Sequence, residues 1–292
     1  MNIGRVGIWS FLDFLPAARA QDAVREVEEL GFGALWIPEA LGKEVFTHAG
    51  ILLAGSRRIV VATGIANVWA RDPMATAAAQ KTLCEAYPDR FLLGLGVSHQ
   101  PLVQGMRGHD YTKPYSFMRT YLDAMDAAPF SGAQPAGPLE RVIGALHPRM
   151  LELSRDRAAG AHPYFVTPEH TARARGILGA GKLLAPEQAA VLETDPQKAR
   201  ALARAHMQMY LNLPNYVRNL HSLGFTDADV QNGGSDRLVD AIVAWGEVDA
   251  IVERVRRHHA SGADHVCIQV LDENPAAPPL RQWRALAKAL LA

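Results

Sequence analysis

From one end of this chain to the other, short apolar runs alternate with amphipathic segments, and that alternation restricts the fold more than any other feature. Such a pattern is the signature of βα units, whose strands pair in parallel and are covered by helices. The apolar runs fall at Val6–Trp9, Ala34–Ile37, Ile59–Ile65, Phe91–Leu95, Val142–Ala145, Tyr164–Val166, Lys182–Ala185 and Val266–Val270. They are rich in Val, Ile and Leu without strict alternation, as strands buried on both faces should be. Eight strands are the number that closes a barrel, so an α/β fold of the (β/α)8 TIM-barrel type is expected, with residues 1–292 as one domain.

The intervening helices carry sharp start and stop signals. Asp72–Pro73, Thr167–Pro168 and Asp195–Pro196 each set a capping oxygen before a proline at the first helical position. His147–Pro148 and Ala185–Pro186 have the proline with a weaker cap. A helix over 20–30 lines up Ala20, Val24, Val27 and Leu30 and stops at Gly31, and another around 249–260 stops at Gly262. Residues 99–114 and 129–138 flank a helix at 115–128, and residues 211–248 make a long excursion before the last strand. Working loops in barrels follow the strand C-termini, so both insertions are expected to roof the active site. An open doubly wound sheet would want a glycine-rich phosphate turn after the first strand, where Trp9-Ser10-Phe11-Leu12 stands instead.

Apolar residues make up 49% of the chain, enough for a large core, and thirty basic residues balance thirty acidic ones. Even charge leaves no footprint for nucleic acid or an anionic membrane, which need clustered basic excess. Cys84 and Cys267 lie far apart inside apolar elements, consistent with reduced thiols and a cytoplasmic setting. Arg5 interrupts the first apolar run, so no secretory signal is expected there, and no apolar stretch is long enough to span a bilayer. A small-molecule substrate is the expected partner.

Candidate chemistry gathers at strand ends. Trp36-Ile37-Pro38-Glu39 sets a carboxylate at the end of the second strand, where it serves a site or an ion pair with Lys43 or a neighbouring arginine. The third strand runs through Gly64, Ile65 and Asn67 to Trp69; Gly64 permits a bulge and Asn67 offers an amide to a ligand edge. The fourth ends Gly94-Leu95-Gly96-Val97-Ser98-His99, where glycines allow close approach of a planar ligand or of another backbone. His99 has the chemistry of a general acid or base. Leu146-His147-Pro148-Arg149 opens a helix, whose first N–H groups favour anions. Adjacent His258 and His259 cannot share a helix face, and there is no HExxH, no GxSxG and no GxxxxGK[ST] pattern. No metal is expected, and a cofactor carrying its own chemistry fits that pattern.

Taken together, GIAN at 64–67, ARDPMATAAAQ at 70–80, Asp89-Arg90-Phe91 and LGLGVSH at 93–99 resemble the luciferase-like monooxygenase superfamily. LHPRMLELSRDRAAGAHPYFVTPEH at 146–170, LLAPEQAAVLETDPQKAR at 183–200, LPNYVRNL at 213–220 and GADHVCIQV at 262–270 narrow the likeness to its coenzyme F420-dependent oxidoreductases. The resemblance implies a bacterial-luciferase-like barrel holding a deazaflavin at the strand C-termini, and usually a homodimer. It implies a non-prolyl cis peptide at Gly64–Ile65 beneath the ring, Asn67, Glu39 and Ser98 beside it, and the amides of Leu146 and His147 on its phosphate. Glu39 and His99 are the candidate catalytic residues, His99 by its own chemistry rather than by the resemblance, with Tyr164 and Tyr216 on the substrate side. Where related sugar-phosphate dehydrogenases have a histidine and a glutamate, this chain has Ala40 and His99, so sugar-phosphate oxidation is not expected. The implied activity is hydride transfer between F420 and a small organic substrate. An FMN-dependent monooxygenase or reductase, or a flavin-binding barrel without catalysis, are the alternatives.

Overall fold

The computed structural model describes residues 1–274 and 276–291. Its strands are β1 (Val6–Trp9), β2 (Ala34–Ile37), β3 (Val60–Thr63), β4 (Ala66–Asn67), β5 (Phe91–Gly96), β6 (Arg141–Ile143), β7 (Gly160–Ala161), β8 (Leu183–Leu184), β9 (Glu187–Val191), β10 (Ala244–Trp245) and β11 (Val266–Val270). The helices are α1 (Ala17–Glu29), α2 (Val45–Ala54), α3 (Pro73–Ala86), α4 (Pro114–Ala127), α5 (Pro148–Arg157), α6 (Pro168–Leu178), α7 (Pro196–Leu211), α8 (Pro214–Ser222), α9 (Asp227–Val230), α10 (Asp236–Ile242), α11 (Val248–Ala260) and α12 (Leu280–Leu290). Pairings run β10-β9-β11-β1-β2-β3-β5-β6-β7-β8, with β4 beside β5, and all are parallel.

Two apolar layers show how this sheet is curled. Alternate strand residues Ile8, Leu35, Ile37, Val61, Phe91, Leu93, Val266 and Ile268 pack with Val24, Val27, Leu52, Val255 and Leu286 from the helices. Their neighbours Trp9, Ala34, Trp36, Val60, Ala62, Leu92, Val142 and Cys267 form a separate cluster that contains no residue of a helix. A strand sends successive side chains to opposite faces, so the inner face packs against itself. Close approach inside is extreme at Gly94, where a Cβ would lie 2.0 Å from the Thr63 carbonyl oxygen.

The proline-led helix starts form as the sequence indicates. Side-chain oxygens of Asp72, Thr167 and Asp195 accept from backbone N–H groups in the first turns of α3, α6 and α7. Two expectations fail. The strand expected at Tyr164–Val166 is instead β7, because Phe165 takes a left-handed backbone (φ 58°) that breaks pairing. Ala185–Pro186 opens no helix; it joins β8 to β9, which runs on to Val191. The segment after His99 forms a π-helical turn (Pro101–Met106), and the 211–248 excursion folds as α8, α9, α10 and β10. Among the described residues, no helix is long and apolar enough to cross a membrane.

Candidate active site

At the third strand tip the chain kinks sharply. The Gly64–Ile65 peptide is cis, as the resemblance implies, and leads into β4. Thr63 Oγ1 donates to Gly94 O (2.7 Å) and accepts from Gly94 N (2.8 Å), locking this tip to the next strand. Gly64 O accepts from Trp9 Nε1 at 3.0 Å, and a Cβ at Gly64 would lie 2.8 Å from that nitrogen. Ile65 lies against Gly96, where a Cβ would come within 2.5 Å of its side chain.

Asn67 follows with its side chain fully buried. Its Oδ1 accepts from Trp69 N at 3.0 Å, whereas Nδ2 has no partner among the described residues. An orphaned buried donor of this kind needs an explanation, and a ligand acceptor supplies one. Glu39 comes to the same tip from the second strand. One carboxylate oxygen accepts from Asn67 N (2.7 Å), and both pair with Arg71, which also reaches Glu44 at 2.8 Å. The arginine partner is therefore Arg71, while Lys43 Nζ donates to Leu15 O.

The fourth tip supplies Ser98 and His99. Ser98 adopts a left-handed backbone (φ 54°), and its carbonyl accepts from Tyr111 Oη at 2.7 Å. Trp69 Nε1 donates to Val97 O at 3.0 Å, and the Trp69 ring stacks on Phe117 at 3.6 Å. Burial pushes the His99 imidazole down to about 4, partly offset by the Asn215 side chain. It is therefore neutral at pH 7, with Nδ1 lacking a partner among the described residues. Its ring lies 5.4 Å from Tyr216.

At the fifth tip, Leu146 O contacts His170 Nε2 at 2.8 Å, and His147 Nε2 contacts Asn215 O at 3.0 Å. His147 caps α5 through its backbone, without a side-chain cap. The Arg149 guanidinium rests over the Tyr115 ring, 4.3 Å from its centroid. Helix α8 thus ties the 211–248 excursion to two strand tips, through Asn215 at His147 and Tyr216 at His99.

A second group of side chains is aromatic and hydroxylic. Tyr164 Oη donates to Gln269 Oε1 (2.7 Å) and sits 2.8 Å from Tyr210 Oη, with its ring 5.2 Å from Trp9. Tyr216 packs against Phe165 and Tyr210, and burial raises both the Tyr164 and the Tyr216 phenols. Glu39, Gly64, Ile65 and Asn67 therefore meet at one tip, Ser98 and His99 stand on the next, and Tyr164 packs on Trp9, whose indole holds Gly64 O. Three inner residues escaped the sequence reading: His162, stacked on Trp36 at 4.4 Å; Gln269; and Glu187, which is 1% exposed. Only Glu187 left a signal, a carboxylate inside an apolar run, and the Ala185–Pro186 dipeptide hid it by imitating a helix start.

Comparison with known proteins adds independent findings. The chain is 31% identical to a protein named as a coenzyme F420-dependent oxidoreductase of Mycobacterium tuberculosis, over 42% of this chain and 35% of that protein. It is 23% identical to the 5,10-methylenetetrahydromethanopterin reductase of Archaeoglobus fulgidus, over 91% of this chain and 93% of that one. The chain thus spans about a third of the first relative and nearly all of the second. The fold resembles an F420-dependent secondary alcohol dehydrogenase solved with an F420-acetone adduct (TM-score 0.78, 12% identity, 99% and 98% of the two chains). It also resembles the FMN-bound oxygenating component of 3,6-diketocamphane monooxygenase from Pseudomonas putida (TM-score 0.69, 13% identity, 97% and 96%). Residues 6–265 match the profile described as luciferase-like monooxygenase, and the chain belongs to that family.

Proposed function

We propose that this protein transfers hydride between the deazaflavin coenzyme F420 and a small organic substrate, in the mouth of a closed (β/α)8 barrel formed by one domain. Closure is supported by the segment 183–191. Ala185 N donates to Ala161 O (3.0 Å) at its start, and Cys267 N donates to Pro186 O (3.0 Å) just beyond, so one bent strand joins both ends of the sheet.

The observation that carries the cofactor reading is the uncommitted Asn67 Nδ2, buried at the tip that the cis Gly64–Ile65 peptide kinks. Such a donor fits the polar edge of a flavin or deazaflavin, and the relatives named for F420 favour the latter. When bound, that cofactor supplies a two-electron hydride carrier. Asn67 and Ser98 would hold its ring edge, with Ile65 as the support beneath. Glu39 sets the Asn67 backbone and keeps Arg71 in place, and the Leu146 and His147 amides at the start of α5 would receive a phosphate. Neutral His99 has a lone pair with which to accept a proton, while Tyr164 and Tyr216 line the substrate side.

FMN is the rival cofactor, favoured by the FMN-bound structural neighbour. Following deazaflavin absorbance with a panel of ketones and alcohols, beside oxygen uptake with reduced FMN, separates the two. Turnover with F420 and no oxygen uptake supports the proposal. Oxygen uptake with FMN alone overturns it, and tight cofactor binding with no turnover by either route identifies a binding barrel.

A further inference from the structure

Glu187 stands on the inner face of the sheet with no function in the scheme above. It pairs in register with Cys267, whose inner-face successor is Gln269, so Glu187 lies one inward position below the Tyr164–Gln269–Tyr210 row. In the order of pairings, β9 is four strands removed from β3, across the barrel from Asn67. Its Oε2 accepts from Phe165 N at 3.2 Å, while Oε1 is buried and has no partner among the described residues.

The titratable groups around Glu187 are Tyr164, Tyr210 and Tyr216 from the aromatic wall, Cys267 from β11, and His162, which lies against Cys267. All are neutral at pH 7, and no cation pairs with Glu187 among the described residues. A buried carboxylate with one backbone donor and no countercharge is costly; the neutral acid costs less, and its Oε1–H lacks only an acceptor. We propose that Glu187 carries its proton on Oε1 and is the acid of the substrate wall, donating that proton to the oxygen of a bound carbonyl compound. Burial pushes the group up to about 8, in keeping with an acid that is protonated at neutral pH. His99, held near 4, cannot fill that role.

The step balances with a reduced deazaflavin or flavin as hydride donor. Hydride adds to the carbonyl carbon, the C=O π pair moves to oxygen, and oxygen takes the proton from Glu187 Oε1. An alcohol results, and the Glu187 carboxylate regains its proton from solvent. The proposal rests on the oxidoreductase reading for its reductant, but its first test does not.

Infrared difference spectra of wild type and Glu187→Gln decide whether a protonated carboxyl is present. Gln keeps the acceptor for Phe165 N and nearly the same volume. The expected result is a carboxylic-acid C=O stretch at pH 7 that is missing in the variant and shifts when cyclohexanone is added to the cofactor-free protein. Absence of that band overturns the proposal, and so does a band unmoved at the highest ketone concentration. If the variant does not fold, the wild-type spectrum titrated with pH answers the same question, since the band must give way to carboxylate absorption as pH rises. With reduced cofactor, Glu187→Gln should lower ketone turnover on the order of 100-fold with cofactor affinity unchanged. Loss of turnover in both proteins, with the infrared shift intact, would refute the function and leave the acid standing.

Discussion

Glu39 is implied beside the cofactor, but its geometry makes it first a clamp, and that role has a calculable cost. Replacing it with alanine deletes the acceptor for Asn67 N and one of the two partners of Arg71. Loss of a charged acceptor from a buried N–H costs about 2 kcal/mol. Stranding a buried cation costs about 3–5 kcal/mol, and here less, because Arg71 keeps Glu44 and its side chain is 14% exposed. A total of about 4 kcal/mol follows, a large part of the roughly 5–15 kcal/mol that holds a folded protein together. For an unfolding slope near ~3 kcal/mol per molar urea, the midpoint should fall by about 1 M. Glu39→Gln restores the acceptor without the charge and should lose about half as much. Urea denaturation followed by tryptophan fluorescence reads both shifts, since Trp9 and Trp69 lie near the strand tips. Midpoints of both variants within ~0.2 M of wild type would refute the clamp.

Gly94→Ala should fail more severely, because its Cβ would enter the Thr63 carbonyl and break the paired hydrogen bonds there; a melting temperature lowered by about 10 °C or more is expected, and an unchanged one contradicts the packing. Acid should destabilise the fold early. Burial holds His162, His170 and His265 near 4, below the ~6.5 of an unfolded histidine, so the unfolded chain binds more protons between those values. Their stabilisation is complete above pH ~6.5 and fades as pH falls towards 4; Glu187, raised to about 8, acts in the opposite sense, but one group opposes three. Urea midpoints should therefore be lower at pH 5 than at pH 7, and equal or higher midpoints at pH 5 would reverse the assignment. Tyr216→Phe should leave stability within ~1 kcal/mol, since its Oη is not needed to pack the ring against Phe165 and Tyr210, while weakening substrate affinity; a change in cofactor affinity instead would move Tyr216 to the other side of the mouth.

The strands and capped helices were legible because their signals are local. Asp72, Thr167 and Asp195 act within one turn of themselves, and the apolar runs at β1, β2, β5 and β11 match almost to the residue. The failures arise where a local signal serves a distant contact. Pro186 reads as a helix start, yet it joins β8 to β9, where its carbonyl accepts from Cys267 eighty-one residues away. Phe165 reads as strand, yet its N–H turns to Glu187. The site divides in the same way. Gly64, Ile65 and Asn67 stand out within one segment, whereas the sequence left Lys43 or an arginine open as the partner of Glu39, and Arg71 comes from thirty-two residues away. The row of Tyr164, Tyr210 and Gln269 joins three distant segments and has no sequence pattern.

The central claim is that an uncommitted Asn67 amide awaits a flat redox ring, and equilibrium binding tests it most directly. F420 and FMN are titrated into wild type and into Asn67→Asp, which keeps an acceptor for Trp69 N while replacing the Nδ2 donor. Saturable binding of F420, tighter than FMN and weakened about tenfold or more in the variant, is the expected result. Equal affinity in the two proteins, or no binding of either cofactor to wild type, would contradict it.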